Sequence, residues 1–326
     1  MACISKFFAW GKLDCDLATD AGIPQERVVM TGNPRCDLMN INGSKFYNKK
    51  ASALNTIFGD FILINDNFVV ERFDPNYSPP FRSHLSKQEN IELKAKRDKK
   101  IKENKLQRER LLELLMDLSQ KYPDINFVIR PHPMSDPAYM HGKFSKVRNV
   151  FVVYKDSIEP WLFACRAMVS SGCTTALQAA IAKKPIYHFP SVGDHLEPLA
   201  SSLGIEFSDS TNLRDYPESI VESNYKSVSE YINILDQATD NISQELFQLE
   251  SQNMHINLDF NMFSLLSKKV VEQQPSPVEP KWSRSGYSVS SVRKIVQNMV
   301  ESFSISCGKI SITKISPYLF ILSNGY

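Results

Sequence analysis

The clearest order in the chain is an alternation, from about Asp60 to Phe189, of short apolar β-rich runs with helix-period patterns. The runs are FILIN (Phe61 to Asn65), INFVIR (Ile125 to Arg130), VFVVY (Val150 to Tyr154), AMVSS (Ala167 to Ser171) and PIYHF (Pro185 to Phe189). Between the first two, Leu111, Leu112, Leu115 and Leu118 recur at i, i+1, i+4, i+7 spacing, which predicts one apolar helix face. IEPWLFAC (Ile158 to Cys165) and TALQAAIA (Thr175 to Ala182) read as short helices. Strands without polar alternation suit burial on both faces, so the pattern predicts an α/β domain: a parallel sheet with helices on both sides. Ligands of such sheets bind beyond the carboxyl ends of the strands.

Two strand ends are followed by unusual polar residues, RPHP (Arg130 to Pro133) and SSGCTT (Ser170 to Thr175), and both are expected on the same sheet edge. Earlier, RVVMTGNPRCDLMN (Arg27 to Asn40) reads as a strand, a Gly-Asn-Pro turn and a helix start. Lys87 to Arg110 is rich in basic residues without interleaved aromatics, which predicts a solvated helix and no chemistry. Beyond Phe207, Tyr225 to Ala238 reads as a helix, Gln273 to Gly286 as a Pro- and Ser-rich linker, and Val289 to Phe303 as a terminal helix. The last twenty or so residues read as strands or as a poorly structured tail.

Composition narrows the partners. A length of 326 residues allows two domains, and 42% hydrophobic with 23% charged residues is the balance of a globular protein. The net charge of +2 gives no electrostatic case for nucleic acid, so no nucleic-acid partner is expected. The six cysteines are scattered singly, with no C-x-x-C pair, and read as reduced thiols of a cytoplasmic protein. HExxH and three-carboxylate patterns are absent, so neither a protein-bound metal nor a cofactor is expected. No run of eighteen apolar residues and no leader pattern is seen.

The chemistry is expected at the two polar strand ends. Pro131 and Pro133 stiffen the loop that carries His132, and Arg130 supplies a permanent cation, a combination suited to holding or protonating a phosphate oxygen. The plain alternative is a turn histidine packed under Tyr139 or Phe144. Ser170, Ser171, Gly172, Thr174 and Thr175 form a loop entering a helix, either an anion cradle or an N-cap made by one of the threonines. Gln178 follows Thr174 by one helical turn and can bond a ligand hydroxyl or act as a capping partner. Cys173 reads as a packing residue. Asp66 and Asn67, and Ser191, Asp194, His195 and Glu197 in the loop after Phe189, share the same edge; capping is the plainer reading of Ser191 and Asp194.

At these residues the chain resembles a known group. WGKLDCDLA, VVMTGNPRCDLM, FILINDNF, FVIRPHP, DSIEPWLFACRAMVSSGCTTALQAA and KKPIYHF, between about Trp10 and Phe207, together resemble the bacterial surface carbohydrate biosynthesis protein family. That family has a GT-B glycosyltransferase-like architecture and is related to the Kdo transferases of capsule and lipopolysaccharide assembly. More distantly, the His-Pro and Ser/Thr elements are similar to those of bacterial sialyltransferases. The resemblance implies a GT-B-like fold with one nearly complete Rossmann-like domain (41–270), a remnant of a second (1–40), and a linker and tail (271–326). It implies a nucleotide-sugar donor, a CMP-sugar such as CMP-Kdo, and a glycan or glycolipid acceptor, with peripheral membrane association through the acceptor or a partner as one option. His132 is then the catalytic hydrogen-bond donor or general acid. Arg130, His132, Pro133, Ser170, Ser171, Gly172, Thr174, Thr175 and Gln178 hold the donor phosphate and nucleotide. Many relatives carry Glu at the position of Gln178, where it meets the ribose. The TGNP segment, at the end of the first domain in relatives, begins here at Thr31, so a truncated product or a partner that supplies the rest is expected. A nucleotide-sugar epimerase, a glycerol-phosphate transferase and a non-catalytic nucleotide-binding remnant are the alternatives.

Overall fold

The structure is a computed structural model and describes residues 5–68, 86–132, 135, 137–154, 156–190, 198–232, 237–252, 288–303, 309–314 and 320–325. In chain order the elements are β1 (Phe7–Ala9), α1 (Lys12–Asp20), β2 (Val28–Met30), α2 (Pro34–Asp37), α3 (Ile41–Phe58), β3 (Phe61–Asn65), α4 (Lys87–Lys121), β4 (Asn126–Arg130), α5 (Pro137–Phe144) and β5 (Val150–Val152). There follow α6 (Glu159–Ala164), β6 (Ala167–Ser170), α7 (Thr175–Ile181), β7 (Ile186–His188), α8 (Pro198–Ser202), β8 (Ile205–Glu206), α9 (Glu218–Tyr231), α10 (Ala238–Gln252), α11 (Val289–Phe303), β9 (Lys309–Lys314) and β10 (Phe320–Gly325). The chain divides into two compact units, 48–228 and a discontinuous one of 1–47 with 229–326.

The unit 48–228 lies inside the segment 41–270 and is built on a six-stranded sheet in the order β5-β4-β3-β6-β7-β8. Every pairing in it is parallel. Counted within the sheet this is the order 3-2-1-4-5-6 of the doubly wound dinucleotide folds, whose direction of winding reverses between the first and fourth strands. Right-handed crossovers then place α4 and α5 on one face and α6 to α8 on the other. Side-chain alternation along β3 confirms both layers. Ile62 and Ile64 join Phe127, Ile129, Leu111, Leu112, Leu115, Met140 and Phe144 in one core cluster, whereas Phe61 meets Trp161 of α6 at a ring-centroid distance of 6.1 Å. All four central residues Phe61 to Ile64 are buried, as expected of a strand covered on both faces. The leucine stripe becomes the buried face of α4. The basic half of that helix is mostly exposed and starts at a capping box in which Ser86 and Glu89 satisfy each other's backbone N–H groups.

In the other unit, β1 and β2 pair in parallel around α1. The TGNP turn follows: the Asn33 side chain accepts from Arg35 N at 3.0 Å, and Pro34 opens α2 where its missing N–H costs nothing. Asp37 accepts from Thr239 N and Thr239 Oγ1, both at 2.9 Å, and so fixes the start of α10 to a residue some two hundred positions earlier in the chain. The terminal residues read as strand or tail form an antiparallel hairpin of β9 and β10. The linker 273–286 lies outside the described residues. Among the described residues no helix is long and apolar enough to cross a membrane, and no group of three His, Cys, Asp or Glu is placed to hold a metal ion.

Candidate functional site

The reversal of winding lies between β3 and β6, the point at which sheets of this strand order take their ligands, between loops that leave in opposite directions. The two polar loops predicted from the sequence flank β3: RPHP leaves β4 on one side and SSGCTT leaves β6 on the other. Asn65, the last residue of β3, joins the second loop. Its Nδ2 donates to Thr175 Oγ1 at 2.7 Å and to Cys173 Sγ at 3.2 Å.

Within SSGCTT the helix start lacks a side-chain cap. Thr174 occupies the N-cap position of α7 with helical φ and ψ, makes no capping bond, and is exposed. Thr175 is engaged with Asn65 and with Cys173 Sγ. Thr174 thus makes no side-chain cap, and the N–H groups of Ala176 and Leu177 donate instead to the carbonyls of Cys173 and Thr174, at 2.9 Å and 3.1 Å. Gly172 has φ of 77°, a left-handed conformation that turns the chain out of the sheet and is disfavoured for any residue with a Cβ. Ser170 is fully buried, its Oγ 3.5 Å from Cys173 Sγ. Ser171 is 5% exposed and its Oγ has no hydrogen-bond partner, an uncommon state for a buried hydroxyl.

At the β4 end, the backbone carbonyl of His132 accepts from Ser135 N at 2.8 Å, and the His132 side chain is half-buried. Ser135 is buried and its hydroxyl also lacks a partner. Pro133 lies outside the described residues, as do Ser191, Asp194, His195 and Glu197. The ring of Tyr139, proposed as a cover for His132, faces Arg108 at 5.2 Å and sends its hydroxyl to Glu109.

Arg130 is turned inward. It pairs in register with Asn65 and so points, like Leu63, to the α6 face, where its guanidinium stacks on Trp161 at 5.3 Å and donates from Nη2 to the Asp156 carbonyl at 2.6 Å. Burial draws its pKa down to about 10, against the attraction of Glu159, Asp156 and Tyr154, so it stays a cation at neutral pH. Gln178 is 3% exposed and donates from Nε2 to Oε1 of Glu159, itself buried, at 3.4 Å. Asp66 is buried too, accepting from Phe68 N at 3.0 Å in a local turn, while Asn67 is half-buried.

Glu159, Asn65 and Ser135 were not singled out by the sequence pattern. The available signal for Glu159 was a lone carboxylate opening an otherwise apolar helix, Pro160 to Ala164. Asn65 carried a weaker one, an amide ending a strand of four apolar residues.

No protein-family model matches the chain, and no curated protein matches it by sequence. Among solved structures it is similar to the UDP-GlcNAc 2-epimerase of Methanocaldococcus jannaschii in complex with UDP-GlcNAc and UDP, at 15% identity and a TM-score of 0.46, over 75% of this chain and 61% of that one. It is similar to the wall teichoic acid polymerase TagF at 11% identity and 0.43, over 75% and 56%. Anabaena HepE in complex with UDP-glucose gives 12% and 0.38, over 76% and 64%. The chain thus spans about three fifths of the length of the structures it matches.

Proposed function

We propose that the crevice of the unit 48–228 binds the nucleotide and phosphate of a sugar donor, and that the chain is a glycosyltransferase-like protein of surface polysaccharide biosynthesis. The observation that carries this reading is the uncapped start of α7, tied through Thr175 to Asn65 at the point where the winding of the sheet reverses. A dinucleotide-type sheet presents backbone N–H groups to phosphate at that point, and the buried, unpartnered hydroxyl of Ser171 adds a donor beside them.

In this reading Ser170, Ser171, Gly172, Thr174 and Thr175 cradle the donor phosphate, and His132 with Pro133 closes on it from the β4 side. Negative charge grows on that phosphate as the glycosidic bond breaks, and fixed N–H and O–H donors stabilise it more than they stabilise the ground state. His132 donates a hydrogen bond or a proton to the departing phosphate. Arg130 and Gln178 act from behind the crevice. The segment resemblance favours a GT-B-like arrangement, with 41–270 the nucleotide-sugar domain, 1–40 part of a second domain and 271–326 a linker and tail. It also favours a CMP-sugar such as CMP-Kdo, and a glycan or glycolipid acceptor on the cytoplasmic side.

Calorimetry with CMP, CDP and UDP tests the reading. One nucleotide is expected to bind, and His132→Ala to weaken it about tenfold, the scale of a hydrogen bond to a charged group. Unchanged binding by His132→Ala overturns the assignment. Product analysis with CMP-Kdo, CDP-glycerol and UDP-GlcNAc then separates glycosyl transfer from glycerol-phosphate transfer and epimerisation.

A further inference from the structure

Helix α11 separates apolar from polar residues completely between Val289 and Glu301. At about 100° per residue, Val289, Val292, Ile295, Val296, Met299 and Val300 fall within an arc of about 140°, and every other residue of that stretch is polar and falls outside it. A helix that rests on a core buries such a stripe. Helix α9, whose faces are less sharply divided, buries Val221, Asn224 and Val228. In α11 no side chain from Val289 to Glu301 is buried: Ile295 is 41% exposed and the other five apolar residues are half-buried. The amphipathic pattern therefore exceeds what the described fold uses.

Charge indicates what would cover this face. From Lys281 to Tyr326 the basic residues are Lys281, Arg284, Arg293, Lys294, Lys309 and Lys314, and the only acidic one is Glu301, in a chain that as a whole balances 38 basic against 36 acidic residues. Arg293 and Lys294 are exposed. Arg293 borders the apolar arc, one turn from both Val289 and Val296, the place from which an arginine lays its stem along apolar surface and keeps its charge in water. An apolar strip edged by cations matches an anionic bilayer, whose acyl boundary takes the strip and whose headgroup phosphates take the cations. The 15 residues of α11 are fewer than the roughly 20 apolar ones of a span, so the helix would lie along the surface. A second copy of the chain fits this face less well. A coiled-coil seam is sustained over three or more heptads, α11 has room for about two, and Ile295 and Val300 widen its strip beyond the a and d positions. We propose that α11 is a membrane-surface helix that docks this chain on a bilayer containing anionic phospholipid. The proposal is independent of the nucleotide reading and supplies a route to a lipid-borne acceptor.

Vesicle flotation of the full chain, without nucleotide, tests it. The chain is expected to float with vesicles of phosphatidylcholine and phosphatidylglycerol in equal parts, not with phosphatidylcholine alone, and to be released as salt is raised. Arg293→Gln with Lys294→Gln is expected to lower the affinity about tenfold. Ile295→Asp and Gln297→Asp place the same charge on opposite faces, and Ile295→Asp is expected to bind about tenfold more weakly, the scale of a large apolar side chain withheld from lipid. Ile295 is exposed, so both variants should keep the native far-UV circular dichroism and the native chain's nucleotide affinity, which separates this proposal from the one above. In Ile295→Trp the added emission is expected to shift to the blue with the anionic vesicles. A native chain that does not float with anionic vesicles, equal binding by the two Asp variants, or a Trp emission that the vesicles leave unchanged overturns the proposal. So does a concentration-dependent dimer that Ile295→Asp dissociates, which would assign the face to a second copy.

Discussion

The ends of β4 and β6 look alike in sequence, each an apolar strand that runs into polar residues, yet the fold treats them in opposite ways. At the β4 end the cation is folded back under Trp161 and tied to a carbonyl. At the β6 end the chain turns out through a left-handed glycine, and Thr174 emerges exposed and uncapped. Both strands alternate faces in the same way, so the difference lies in what covers them. An aromatic residue of α6 lies over Arg130, whereas Gly172 lifts the next residues out of the layer. A polar residue at a strand end is thus left exposed or folded back against the protein according to the helix that crosses it.

The contrast can be broken most forcefully at Trp161. This side chain is 1% exposed and packs on Phe58 and Phe61 as well as Arg130. Trp161→Ala is expected to cost about 3–5 kcal/mol in urea denaturation, because it leaves a cavity and removes the ring stacked on the half-buried Arg130. Thr174→Ala at the other end is expected to change stability by less than about 0.5 kcal/mol while still weakening nucleotide binding. A large stability loss there would mean that the exposed loop is structural after all.

Gly172→Ala is the next largest effect. A Cβ at φ of 77° is expected to cost about 1–2 kcal/mol, and the loop relaxes away from the conformation that presents its N–H groups. Nucleotide affinity should fall further than stability does. Equal stability and affinity in the variant would remove the glycine from the argument.

Thiol chemistry sharpens the contrast with the smallest perturbation. Cys173 is partly exposed in the β6 loop, whereas Cys165, just before β6, is buried and its thiol is pushed up to about 12 by that burial. Iodoacetamide at pH 8 is expected to label Cys173, with nucleotide slowing it, and to spare Cys165 until the chain unfolds. The pH dependence has a fixed sign. Burial also raises Cys36 to about 12 and Tyr187 to about 12. Each folded value lies above the ordinary one, so the unfolded chain releases these protons first. Stability from this source is intact below about pH 9 and falls as pH rises towards 12, by up to about 1.4 kcal/mol per group per unit. Pulse labelling of Cys165 against pH measures it, and a flat profile between pH 9 and 11 would refute the sign.

The class of the sheet and the place to look are legible in the order of apolar and polar positions alone. Runs such as FILIN and FVIR have no polar alternation, because a parallel strand is covered on both faces, and each of those runs is a buried strand. The polar loops after β4 and β6 were legible for the same reason: a sudden change from apolar to Arg, His, Ser and Thr marks where a strand leaves the core. The strand order emerges only in the folded chain, since hydrophobicity does not record which strands become neighbours. There Asn65 meets Thr175, 110 positions away. There, too, Arg130 turns inward to Trp161 and Gln178 finds Glu159, because side-chain direction at a strand end depends on the register of the sheet and on the helix laid across it.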